Sequence, residues 1–155
     1  MKMNSICAIL NLTEDETALY PLTRVRPIAS LPFASRYRLV DFNLSSISHA
    51  EIKSVGMFIA GSGRSIYDHI RSGSVWNIES GLTGGIFTYS QQVLKAVQER
   101  NGDALDFYMN HKEFIDRSQG EYVVVMGSKI LANVDIKAVM QHHLAKEGDI
   151  TVVYK

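Results

Sequence analysis

At 155 residues the chain fits one domain, large enough to hide roughly two thirds of the surface that its unfolded form exposes. Sixteen bases balance sixteen acids, which removes the sequence-independent attraction to nucleic-acid backbones or anionic lipid, so neither is expected as a partner. No apolar run approaches the ~20 residues of a membrane span and the N-terminal one is too short for a secretory signal, so a soluble, cytoplasmic protein is expected.

The first element is the apolar run SICAIL (5–10), which predicts a strand; Cys7, the single cysteine, lies inside it as a small buried hydrophobe suited to a reducing compartment. The next stretch, LNLTEDETALYPLTRVRPI (10–28), has no glycine and carries three acids in a row, Glu14, Asp15 and Glu16. Thr13 followed by Glu16 spells a capping box and predicts a helix start, where acids suit the positive end of the helix dipole. A helix N-terminus draws phosphate only while its N–H groups are free, and here the chain's own carboxylates are placed to take them. Each carboxylate about 6 Å from a unit of phosphate charge costs roughly 0.7 kcal/mol at the dielectric of water and ~2.8 kcal/mol at an effective value of 20.

Arg24, Arg26, Arg36 and Arg38 follow without an acid between them. They are read as solvated or structurally paired, with Asp41 a candidate partner, although an effector phosphate could use them. A helix is predicted over 40–51, then a strand over SVGMFIAG (54–61). The sequence AGSGRS after it offers Gly61, Gly63, Arg64 and Ser65 as a possible anion site, or an ordinary strand-to-helix connection. Glycines at 61, 63, 73, 81, 84 and 85 make 61–85 a long loop region, broken by a helical turn around 66–70.

Leu105, Tyr108, Met109 and Ile115 mark a helix that ends near Gly120, and EYVVVMG (121–127) a further strand. Ile136, Val139, Met140, His143 and Leu144 mark another helix, with Gly148 expected at its C′ position. His142 and His143 are adjacent and so point about 100° apart, which argues against a shared metal; His143 is read as half-buried. The last run, DITVVYK (149–155), predicts a strand with ladder groups left open, which suggests a fragment of a longer chain. Short Val- and Ile-rich strands, nearly continuous rather than alternating, read as covered on both faces. Alternating with helices, they predict an α/β, Rossmann-like, doubly wound and mostly parallel sheet, with ligands at the carboxyl ends of its strands.

The run PLT…R…LPFASRYRLVDFNLSS, followed by HAEIKSVGMF, resembles the N-terminal nucleotidyltransferase domain of bacterial ADP-glucose pyrophosphorylase, the enzyme that makes the glucosyl donor for glycogen. EYVVVMGS and HIRSG match further family segments, so the resemblance spans essentially the whole chain. It implies a nucleotide-diphospho-sugar transferase fold at 1–155, with the family's C-terminal β-helix domain absent. Aligned without gaps, the family's phosphate loop G-G-x-G-T-R-L falls on Thr13, Glu14, Asp15, Glu16, Thr17, Ala18 and Leu19, so every glycine is gone and Ala18 replaces the arginine. The phosphate-contacting lysine falls on Ile28, and Ser128 replaces the metal-binding aspartate. The loop glutamine falls on Ala60, and of the segment matching GTADA only Asp106 keeps its acid.

Reaction of a sugar phosphate with ATP gathers two anions, and the barrier is lowered mostly by cationic or metal clamps, each worth two or three powers of ten in rate. Ala18 and Ile28 offer no donor, and Ser128 is a poor Mg²⁺ ligand. The resemblance is therefore to the family's non-catalytic, regulatory-type subunits, without catalytic residue, metal or cofactor of its own, although the catalytic relatives use Mg²⁺. It implies a catalytic ADP-glucose pyrophosphorylase subunit as partner, in a hetero- or homo-oligomer. Two alternatives remain open: a working transferase using Arg24 or Arg26 with Asp106 or Asp135, and a sugar-phosphate sensor built on the glycine-rich segment. Ser128 has no base in its motif, which argues against a nucleophile.

Overall fold

The computed structural model describes residues 6–154 apart from 15, 72, 79, 80, 82, 83, 105 and 107. Strand β1 (Ile6–Leu12) leads through a long irregular segment to a small ribbon, β2 (Pro32–Phe33) with β3 (Tyr37–Arg38), and into α1 (Leu39–His49). Asp41, at the third position of α1, accepts from the Arg38 backbone N–H at 2.9 Å and so caps that helix. Then come β4 (Ser54–Ile59), α2 (Arg64–Ile70), β5 (Gly85–Ser90), α3 (Gln91–Asn101), α4 (Met109–Ser118), β6 (Tyr122–Gly127) and α5 (Ile136–Lys146).

The main sheet runs β5-β4-β1-β6, and every neighbouring pair is parallel. Leu10 lies level with Met57 on one side and Met126 on the other, so the carboxyl ends of the three strands finish together. This is the α/β architecture that the sequence predicts. The chain winds outward from β1 to β4 to β5, then returns to place β6 on the opposite side of β1. Such a reversal of winding opens a crevice between the two strands where it occurs, here β1 and β6.

Both faces of β1 are covered, because its residues alternate between two cores. Ile6, Ala8, Leu10 and Leu12 join Val40, Leu44 and Ile47 of α1, Ile66 of α2 and Ile136 and Met140 of α5. Cys7 and Ile9 face the other way, into a smaller cluster with Phe58 and Phe114 of α4. Burial pushes the Cys7 thiol pKa up, opposed in part by a hydrogen bond with Ser118. No helix among the described residues is long and apolar enough to cross a membrane.

Several expectations are corrected. The run 121–127 is a strand, but Val123 and Val125 expose one face, Val125 by 66%, because β6 is the sheet edge and α4 packs under β1 and β4 instead. Residues 149–154 form no strand and are largely exposed; a strand needs a ladder partner, and the run pairs with none among the described residues. Glu147, not Gly148, takes the left-handed turn that ends α5. Strand β5 and helix α3 were not expected at all. Helix α3 buries Gln91 and Gln98 rather than an apolar stripe, so periodicity does not find it.

Candidate functional site

At the carboxyl end of β1 the predicted helix does not form. The chain makes only a 3₁₀ turn over Thr17–Leu19, without a side-chain cap, and Thr13 donates instead to Asn11 Oδ1 at 3.1 Å. Pro21 supplies the reason: it disfavours helix at the residue before it, leaving too few positions after Thr13 for a stable nucleus. The capping-box reading of Thr13 and Glu16 is therefore wrong, and the carboxylates of Glu14 and Glu16 serve other segments.

Glu14 reaches across the crevice between β1 and β6. Its Oε1 accepts from the Ser128 backbone N–H at 2.8 Å and from that of Lys129 at 3.3 Å, and its Oε2 accepts from the Ser128 hydroxyl. Gly127 permits this approach, since a Cβ there would collide with Glu14 Oε1; its carbonyl is held in turn by Asn43 Nδ2 at 2.9 Å. Glu16 Oε1 accepts from the Ile28 backbone N–H at 2.7 Å, and the Glu16 carbonyl accepts from Thr23 Oγ1 at 2.7 Å. Ile28 and Ser128 are almost fully buried, at 2% and 3% exposed, whereas Ala18 is exposed. Thr13, Glu14 and Glu16 are half-buried, and Asp15 lies outside the described residues.

Three positions far apart in sequence thus meet: the loop after β1, Ile28 and Ser128. Among the described residues, the charged side chains that make these hydrogen bonds are the carboxylates of Glu14 and Glu16. A magnesium ion does not fit this donor set. It demands nearly octahedral oxygen ligands, whereas Ser128 presents a hydroxyl that is donated away and Glu14 already accepts from three protein groups.

The neighbouring strand ends are open. A cavity of about 470 Å³ lies over the carboxyl ends of β1, β4 and β5, lined by Asn11, Thr13, Ala60, Gln91, Lys95 and His111 among others. His111 stacks on the buried Phe58, ring centres 3.7 Å apart, and the exposed Tyr108 leans toward it at 5.5 Å. Gln91 accepts from Asn110 at 3.0 Å, which ties α3 to α4. Lys95, the one lysine or arginine among the described residues lining the cavity, lies 3.7 Å from Glu99 on the same helix. Gln91, Lys95 and His111 escaped sequence reasoning; the available signal was Ser90 and Gly102, which cap α3 with eleven residues between them.

The other candidates are put to local use. Ser65 donates inward to Ser30 Oγ at 2.9 Å, while Arg64 extends outward, 90% exposed, 3.8 Å from Asp68. Gly61 is exposed and Gly63 is buried under the Tyr67 ring. Asp41 does not pair with an arginine side chain as expected; its second oxygen meets His69 Nε2 at 2.6 Å, and Arg38 donates to the Ser30 carbonyl at 2.6 Å. One carboxylate oxygen is thus held by a backbone N–H and the other by an imidazole, both brought to it by the fold at the start of α1. Asp106 accepts from the Tyr108 backbone N–H and Asp135 from that of Ala138, so both cap local turns. Arg24 is exposed and Arg26 half-exposed. His143 is half-buried as expected, 2.8 Å from Thr151 Oγ1.

Residues 16–155 match the nucleotidyl transferase family model. The chain is 34% identical to the glycogen biosynthesis protein GlgD of Geobacillus stearothermophilus over 97% of its own length and 43% of that protein. It is 30% identical to GlgD of Bacillus subtilis, covering 98% and 44%, and 28% identical to the glucose-1-phosphate adenylyltransferase of Photobacterium profundum, covering 97% and 36%. The chain therefore spans less than half the length of these curated relatives.

Proposed function

The chain belongs to the nucleotidyl transferase family, and from that premise we propose that it acts in glycogen biosynthesis as a non-catalytic, regulatory-type component. It assembles in the cytoplasm with a catalytic glucose-1-phosphate adenylyltransferase subunit, shifts that subunit's activity, and turns over little or nothing alone. The observation that carries this reading is the closed crevice between β1 and β6. Where the resemblance puts a glycine loop, a lysine and a metal-binding aspartate, the chain has Glu14 and Glu16, Ile28 and Ser128, joined by hydrogen bonds that consume the backbone donors. Polyphosphate transfer needs positive charge at that point, and the residues supply negative charge. The relatives named GlgD add support from outside the chain.

An effect on a partner requires an interface that favours one of its conformations, a coupling of about 1–3 kcal/mol, or roughly 5- to 150-fold. The test is copurification of the protein with a catalytic adenylyltransferase and assay of ADP-glucose formation from ATP and glucose 1-phosphate before and after mixing. The expected result is a rate for the protein alone at least about a hundredfold below the catalytic subunit, and a changed rate for the mixture. Turnover by the protein alone at the catalytic subunit's rate would overturn the proposal.

A further inference from the structure

The carboxylate of Glu14 does more than mark a lost site: we infer that it is a built-in anion that holds the crevice shut, and that it decides which ligands the crevice refuses. The inference rests on the non-catalytic reading above and adds the residue responsible. Two consecutive backbone N–H groups, of Ser128 and Lys129, converge on one oxygen of Glu14, and the Ser128 hydroxyl on the other. Converging main-chain donors at a strand exit form a concavity suited to an oxyanion. Here a carboxylate from the same chain fills it, seated so close to Gly127 that a Cβ at that position would collide with it. Glu16 does the same for the Ile28 N–H, which anchors the loop from its other end.

Two consequences follow for a phosphate or pyrophosphate group. It finds its donors taken, and it meets a negative charge where they converge. Exchanging the carboxylate for an amide keeps the shape and removes the charge, so the repulsion is lost and an oxyanion of the phosphate class can compete with a neutral side chain for the same donors.

The test titrates inorganic pyrophosphate, in magnesium-free buffer, into the full chain and its E14Q variant by calorimetry, with Glu51→Gln as a control carboxylate on the surface. The expected result is no saturable binding at millimolar concentration for the unchanged protein and E51Q, and at least tenfold tighter binding for E14Q. Equal heats for all three, or an equal gain in E51Q, would overturn the inference. Amide hydrogen exchange of the unchanged protein needs no variant: Ser128 and Lys129 should be protected, and exchange at the free-peptide rate would sink the idea even if E14Q failed to fold. Tight pyrophosphate binding by the unchanged protein would count against the non-catalytic reading as well. Refusal by both proteins removes only the role of Glu14.

Discussion

Two exits at the carboxyl edge of one sheet have gone different ways. Between β1 and β6 the chain's own carboxylates bridge the crevice, tie Glu14 to Ser128 and Glu16 to Ile28, and leave no unused donor at Ser128 N. Over β4 and β5 the edge stays open, with a cavity of about 470 Å³ floored by His111 on Phe58 and walled by the polar first turns of α3. The difference shows that one sheet edge can keep an open cavity beside an exit that its own side chains close. The open side is supported from below by an aromatic cluster, and the closed side by hydrogen bonds within the chain.

The strongest way to break the contrast is to remove the support beneath the open exit. Phe114 is fully buried and lies edge-on to Phe58 and Tyr89, with Phe87 beside it. Phe114→Ala should cost about 3–5 kcal/mol in urea unfolding, as large-to-small changes in packed cores do. Next in size is a matched pair. Glu14→Ala leaves the Ser128 and Lys129 donors without an acceptor and should cost about 1–3 kcal/mol, whereas Lys95→Ala at the open exit, where the lysine is exposed, should change stability by less than about 0.5 kcal/mol. Equal effects in denaturant unfolding would erase the distinction between a filled exit and an empty one.

The smallest expected effect lies away from both exits and calibrates them. Lys137 bonds Glu51 at 2.6 Å on the surface, and the lysine's hydrogen bond and charge hold the Glu51 carboxyl below its ordinary pKa. A lowered folded-state pKa means that the stabilisation is present above the unfolded value and is lost as pH falls through the folded one. Thermal unfolding followed from about pH 7 down to pH 3 should show a slight extra loss that Lys137→Met abolishes. A variant indistinguishable from the parent at every pH would remove the pair as a contributor.

Much of the sheet was readable because its strands are buried on both faces. Runs such as Ile6 to Leu12 and Ser54 to Ile59 are apolar at all but one position, Asn11 in the first and Ser54 in the second. Helix α3 was not readable, because it packs through Gln91 and Gln98 and so carries no apolar period. The aromatic floor of the open exit was missed with it, since His111 and Phe58 meet only in space. In the closed exit the chemistry was legible and the geometry was not. Three adjacent acids announce a place hostile to phosphate, but the local pattern pointed to a helix cap, and the actual partners of Glu14 lie 114 and 115 residues away.

By itself, then, the sequence determined the parallel α/β sheet and the charge of the loop after β1, because both depend on residue type and short-range order. Only the tertiary structure decided what that charge does. A carboxylate bonds whichever donors the fold brings within about 3 Å, and the placing of β6 beside β1 brings those of Ser128 and Lys129 to Glu14.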